Sequence, residues 1–162
     1  MDKSLEFIGN LPNPEDITYP SDDEMNAIYF VAGYICRSVL NRTKCRSCRN
    51  ILVSDENMTK YPRPIIETHS KLLELANRGG LLHPSGHSYH TCILCWKLNR
   101  YIISEKTIQD TFLLSSNQKS VFINLFQSFV KNSAAFVTQC ESNHNFIKMI
   151  VGSFFNCSYK IL

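Results

Sequence analysis

Ser21-Asp-Asp-Glu24-Met25-Asn-Ala-Ile28-Tyr29-Phe-Val31-Ala32-Gly-Tyr-Ile35-Cys-Arg-Ser-Val39-Leu40 is the stretch that decides the fold. Its apolar residues Ile28, Val31, Ala32, Ile35, Val39 and Leu40 recur at the spacing that gathers side chains on one face of an α-helix. Ser21 and Glu24 precede that run at capping-box separation, where a hydroxyl and a carboxylate each accept the other residue's backbone N–H. A helix with one apolar face over Met25–Leu40 is the reading, and Ser21 starts it.

On its N-terminal side, residues 1–20 hold Pro12, Pro14 and Pro20 among scattered acids. Proline removes a backbone donor and fixes φ, so this segment reads as an acidic arm ahead of a helical domain over residues 21–162. On the C-terminal side, Thr43–Arg49 is polar, basic and cysteine-containing, more a knuckle or turn than a regular element. Tyr61-Pro-Arg-Pro64 then breaks any helix before it. Ile65–Asn77 regains helical spacing through Ile66, Leu72, Leu73, Leu75 and Ala76, and ends at Gly79-Gly80, where a left-handed cap needs glycine. Ser85 is placed to cap a further helix with an apolar face of Tyr89, Cys92, Ile93, Trp96 and Ile103.

Two more stripes fill the last third. Val121, Phe122, Leu125, Phe126, Phe129 and Val130 form one, and Phe146, Ile147, Ile150, Val151, Phe154 and Phe155 the other. Phenylalanine in such density suits a thick helix-on-helix core. The expected class is mainly α: a small helical domain with a Cys-x-x-Cys knuckle and no extended sheet.

The bulk properties agree. Of 162 residues, 44% are hydrophobic and 19% charged, enough apolar surface for a core and too little charge for long disorder. Met1–Leu11 lacks the basic start and long apolar run of a secretory signal, and no stretch approaches the ~20 apolar residues of a membrane span. Seven cysteines, an odd number, fit a disulfide framework poorly. The expected setting is soluble and intracellular, with metal binding or core packing accounting for the thiols.

The net charge of +3 is mild but unevenly spread. Asp2, Glu6, Glu15, Asp16, Asp22, Asp23 and Glu24 oppose only Lys3 in the first 24 residues. Arg37, Arg42, Lys44, Arg46 and Arg49 follow with no acid between them. Such a patch contacts phosphates without reading sequence. The same cations would also suit a solvated helix C-terminus, where the macrodipole favours positive charge.

Cys45-x-x-Cys48 is the sharpest local signal, because two thiolates on a tight turn can both reach one Zn²⁺. Cys140 and His144, four apart at the junction between two apolar stripes, are the preferred remaining ligands. Cys92 and Cys95, or His87 and His90 in the histidine-rich segment that also holds His83, are the alternatives. Burial alone explains Cys92, within an apolar stripe, and Cys36, beside Ile35. Cys157 has no evident partner. A redox Cys-x-x-Cys would begin a helix in a βαβ setting, which this is not. Carboxylates outside the acidic arm are sparse, and neither a phosphate-binding glycine loop nor a Gly-x-Ser-x-Gly elbow occurs.

Tyr29-Phe-Val-Ala-Gly-Tyr-Ile35, then Cys45-Arg-Ser-Cys48, then Asn77-Arg-Gly-Gly-Leu-Leu-His-Pro-Ser85, in that order, resemble the C-terminal region of P-element-type and THAP-domain-containing DNA transposase-like proteins. Cys140, His144 and the amphipathic helix after them are similar to that family's ending. The resemblance covers roughly residues 25–160. It implies full-length relatives with a zinc-dependent DNA-binding domain, a coiled coil and an RNase H-like core carrying an inserted GTP-binding domain. Their catalytic carboxylates precede the segment matched here, and no position of this sequence corresponds to them. The implied role is a non-catalytic C-terminal segment, truncated or domesticated, making DNA or subunit contacts in a nuclear setting, with zinc as the expected cofactor. The alternative is a protein-interaction module whose phenylalanine-rich helices bury against a partner without touching DNA.

Overall fold

A computed structural model describes residues 11–43, 45–52, 84–114, 117–131 and 146–160. The described residues form six α-helices, with no strand or sheet among them: α1 (Asp22–Arg42), α2 (Arg46–Leu52), α3 (Gly86–Ser104), α4 (Lys106–Leu114), α5 (Gln118–Phe129) and α6 (Phe146–Lys160). A 3₁₀ turn, Pro14–Asp16, precedes them. The helix expected over Ile65–Asn77 and its Gly79-Gly80 stop lie outside the described residues.

Helix α1 starts as its sequence dictates. Ser21 Oγ accepts the Glu24 N–H at 3.2 Å, and Glu24 Oε1 accepts the Ser21 N–H at 3.2 Å. These reciprocal bonds satisfy two of the backbone N–H groups that a helix start leaves without intrahelical partners. The buried face is Met25, Ile28, Tyr29, Ala32, Ile35, Cys36, Val39 and Leu40. Val31, expected on that face, is only partly buried and turns toward a different surface of the helix.

Helix α3 is the hub, packing against every other helix and the 3₁₀ turn. Ser85 Oγ accepts the Ser88 N–H at 3.0 Å, so the expected cap forms. The expected single apolar face is too narrow, because between Gly86 and Leu98 nearly every side chain is buried. A helix surrounded on all sides has no solvent face, and periodicity under-reads it. Ile103, expected inward, is 49% exposed, and the neighbouring Ile102 is buried instead. Surrounding the helix forces its polar groups to find partners. Thr91 Oγ1 donates to the His87 carbonyl at 2.8 Å, and Tyr89 Oη donates to the Met25 carbonyl of α1 at 3.2 Å.

Both phenylalanine stripes pack as expected where they are described. Val121, Phe122, Leu125, Phe126, Phe129 and Val130 are all buried, as are Ile150, Val151 and Phe154 of α6. Phe155 makes edge and tilted contacts with Phe112 of α4 and Phe122 of α5, with centroids 6.4 and 5.8 Å apart. Gly152 permits the close approach of α5: a Cβ there would stand 3.0 Å from the Lys119 side chain. The core is therefore one continuous cluster with α1, α3 and α6 mutually packed at its centre.

Leu11–Pro20 lies along this core. Pro14 is buried, and the carbonyl of Pro14 accepts a 3.0 Å hydrogen bond from Lys97 Nζ of α3. The same ammonium sits 4.6 Å from the centre of the Tyr19 ring, a cation–π arrangement. Desolvation lowers the Lys97 pKa, and the nearby Glu15 carboxylate opposes that shift.

Candidate functional site

The basic stretch straddles the joint between α1 and α2. Arg42 closes the last turn of α1, while Arg46 and Arg49 stand one turn apart on α2, and all three are exposed. Residues three apart share a helix face, so Arg46 and Arg49 present their charge together. Arg37 is half-buried, and Lys44 lies outside the described residues. Arg42 is held in place: Nε donates to the Ser38 carbonyl at 3.3 Å and Nη2 to Ser153 Oγ of α6 at 2.7 Å.

The Cys-x-x-Cys segment takes a different form from the expected turn. Cys45 sits immediately before α2 and Cys48 within its first turn, because the segment after Thr43 nucleates a short helix. The Cys45 N–H donates to Thr43 Oγ1 at 3.3 Å, and the Arg49 N–H to the Cys45 carbonyl at 3.0 Å. That first i→i−4 bond converts the knuckle into a helix start. Cys45 and Cys48 stay three residues apart at this helix start, with Cys45 half-buried and Cys48 fully buried. Cys140, His144 and His83 lie outside the described residues. Among the described residues no three cysteine, histidine or carboxylate side chains converge as a metal group.

The other described thiols belong to the core or pack against it. Cys36, Cys92 and Cys95 are fully buried on α1 and α3. Burial pushes the Cys36 thiol up to about 11, against smaller opposing hydrogen bonds from Ser88 and Ser85. Burial also raises Cys92 and Cys95 far above the ordinary thiol range; for Cys92, the neighbouring Cys95, Cys36 and Cys157 add to the shift. These are neutral thiols, in line with the packing explanation. His87 is buried, and His90, half-buried, has its pKa lowered first by burial and then by the Lys97 charge.

The surface also carries a groove that no local pattern announces, about 540 Å³ in volume, between α1 and the C-terminal half of α6. Phe30, Val31, Tyr34, Ile35, Ser38 and Arg42 line it from α1, and Ser153, Asn156 and Cys157 from α6, with Arg42 and Ser153 bonded across it. Its one trace in the sequence is Phe30, Tyr34, Ser38 and Arg42 at successive four-residue steps, a stripe beside the core face.

The family model for the C-terminal domain of DNA transposase THAP9 matches residues 18–160. The chain belongs to this family. The THAP9-type match runs from just before Tyr19 to the end of α6, so all six helices fall inside it. It agrees with the transposase resemblance carried by the Tyr29–Ile35, Cys45–Cys48 and Asn77–Ser85 segments. Comparison with curated proteins and with solved structures gave no match.

Proposed function

We propose that this THAP9-type domain is a non-catalytic helical segment of a DNA transposase that supplies nuclear DNA or subunit contacts through its basic joint. The observation that carries the reading is the exposed guanidinium pair of Arg46 and Arg49 on α2, continuing from Arg42 at the end of α1. Together with Arg37 and Lys44 these form the contact set. Burial keeps the Cys36, Cys92 and Cys95 thiols protonated and therefore poorly nucleophilic, which counts against thiol catalysis by these three residues.

The same reading includes a structural zinc ion held by Cys45, Cys48, Cys140 and His144. Its support is the placement of Cys45 and Cys48 one turn apart at a helix start. Bound zinc would tie the α2 joint to the segment before α6. Elemental analysis should find one zinc per chain, and chelation should reduce helicity. A metal-free preparation with full helicity refutes the zinc half.

Fluorescence anisotropy with a labelled duplex tests the DNA half. Binding is expected at low salt, with log affinity falling linearly against log salt. The Arg46→Ala/Arg49→Ala double variant should lower that slope by roughly 2, about 0.9 for each phosphate that is no longer neutralised. Absence of binding at low salt, or an unchanged slope, overturns the reading.

A further inference from the structure

We propose that the groove between α1 and α6 seats a short unpaired stretch of a single DNA strand, with one base against Tyr34 and Phe30 and a neighbouring nucleotide's phosphate at Arg42. This rests on the DNA-contact reading and assigns it a strand state. The groove's volume, about 540 Å³, lies in the range of ligand sites and exceeds what one flat base requires. Tyr34 is 56% exposed although it is a large ring on a helix whose neighbouring residues form the core. With Phe30 one turn earlier, it provides an aromatic surface, and every base has a π-face that stacks on such a surface regardless of sequence.

The α1 wall of the groove is chemically divided along its length. From Phe30 to Arg42 is twelve residues of α1, roughly 18 Å at the helical rise. Along α1 the rings of Phe30 and Tyr34 give way to Ser38 and Arg42, and α6 adds the Ser153 hydroxyl and the Asn156 amide, which can answer polar base edges or sugar oxygens. Among the described lining residues, Arg42 is the charged one and none is an acid. Its bonds to the Ser38 carbonyl and Ser153 Oγ orient the guanidinium and use two of its five N–H donors, which leaves others for a phosphate oxygen. Past Arg42 in the chain, the exposed Arg46 and Arg49 of α2 add further positive charge for the strand's phosphates. A stacking surface, a fixed cation further along α1 and positive charge on α2 match a single-stranded polynucleotide. An apolar peptide would make no use of the cations.

The test is anisotropy titration of labelled oligothymidine and of a blunt duplex with the wild-type chain, Tyr34→Ala, Tyr34→Phe and Arg46→Ala/Arg49→Ala. Tyr34 is exposed, so its variants should retain the wild-type helical spectrum. Tyr34→Ala should weaken oligothymidine binding by about 5- to 100-fold, the loss of one base stack, and leave duplex binding unchanged. Tyr34→Phe should restore wild-type affinity, because the ring is kept. The arginine double variant should weaken both ligands. Duplex binding with oligothymidine affinity indifferent to Tyr34→Ala overturns the nucleotide seat and leaves the DNA reading standing. Binding of neither ligand by the wild-type chain overturns both. Loss of self-association in Tyr34→Ala, with unchanged binding of both DNAs, assigns the groove to a second copy and overturns the proposal.

Discussion

Tyr89 joins the two central helices by two separable interactions, so its truncation series measures how the core is held. The side chain is 1% exposed. Its hydroxyl donates to the Met25 carbonyl at 3.2 Å, and its ring meets that of Tyr29 edge-on at a centroid separation of 5.2 Å and 61°. Tyr89→Phe removes only the hydroxyl. The Met25 carbonyl keeps its place in the helical i→i−4 ladder, so no buried acceptor is orphaned. The bond is longer than the common O–H···O separation of about 2.7–2.8 Å. The expected loss is therefore in the lower half of the usual range, about 0.5–1 kcal/mol. Tyr89→Leu should lose that amount plus the ring pair, about 0.5–1.5 kcal/mol beyond area burial. A double-mutant cycle with Tyr29→Leu isolates the pair, with an expected coupling of about 0.5–1.5 kcal/mol. Urea unfolding followed by far-UV circular dichroism reads every variant of the series. For a chain of this size, each kcal/mol should also lower Tm by roughly 2–4 °C. Coupling indistinguishable from zero would refute the account of the α1–α3 seam. A Tyr89→Phe loss above about 2 kcal/mol would refute the assignment of the Met25 carbonyl as otherwise satisfied.

Ser21→Ala should cost about 1 kcal/mol in thermal unfolding by removing the cap of α1, and Ser21→Asn should recover most of it. Hydrogen bonds from the Ser21 backbone and side chain hold the Glu24 carboxyl below its ordinary pKa, so that contribution is present above the unfolded carboxylate pKa and disappears as pH falls through the folded value. His90 acts at higher pH: its folded pKa lies below the unfolded value of 6.5, so the unfolded chain takes the proton first and stability falls as pH drops below 6.5. Replacing His90 with Gln should flatten that part of a Tm-versus-pH profile, and an unchanged profile would count against it. Lys97→Met should loosen Leu11–Pro20, seen as faster proteolytic cleavage in that segment, because the buried Pro14 carbonyl loses its donor.

Helices α1, α5 and α6, each long enough for a repeated apolar stripe beside a face that meets water, are readable, whereas the nine-residue α4 is not. The Ser21–Glu24 box, the Ser85 cap and both phenylalanine stripes are all legible, because capping chemistry and amphipathic spacing are local properties. Legibility fails where a helix has no solvent face. In α3 the 3.6-residue pattern loses contrast, so periodicity selects Ile103 over Ile102 and gives no sign that Lys97 is buried. The polar, basic composition of the Cys45–Cys48 segment resembles that of a turn. The i→i−4 bond from Arg49 to Cys45, which leads into α2, and packing of α2 against α1 and α3 make it helical.

By itself, the amino-acid order determined the class of the fold, the starts of α1 and α3 at Ser21 and Ser85, the family and the run of arginines across the joint of α1 and α2. These depend on residues within a few positions of one another, where backbone geometry fixes which side chains meet. The groove, the anchoring of Arg42 by Ser153 across 111 positions and the docking of Pro14 onto Lys97 were decided only by tertiary structure. Each needs distant parts of the chain to arrive at the same place. Packing of whole helices, rather than any short pattern, brings them together.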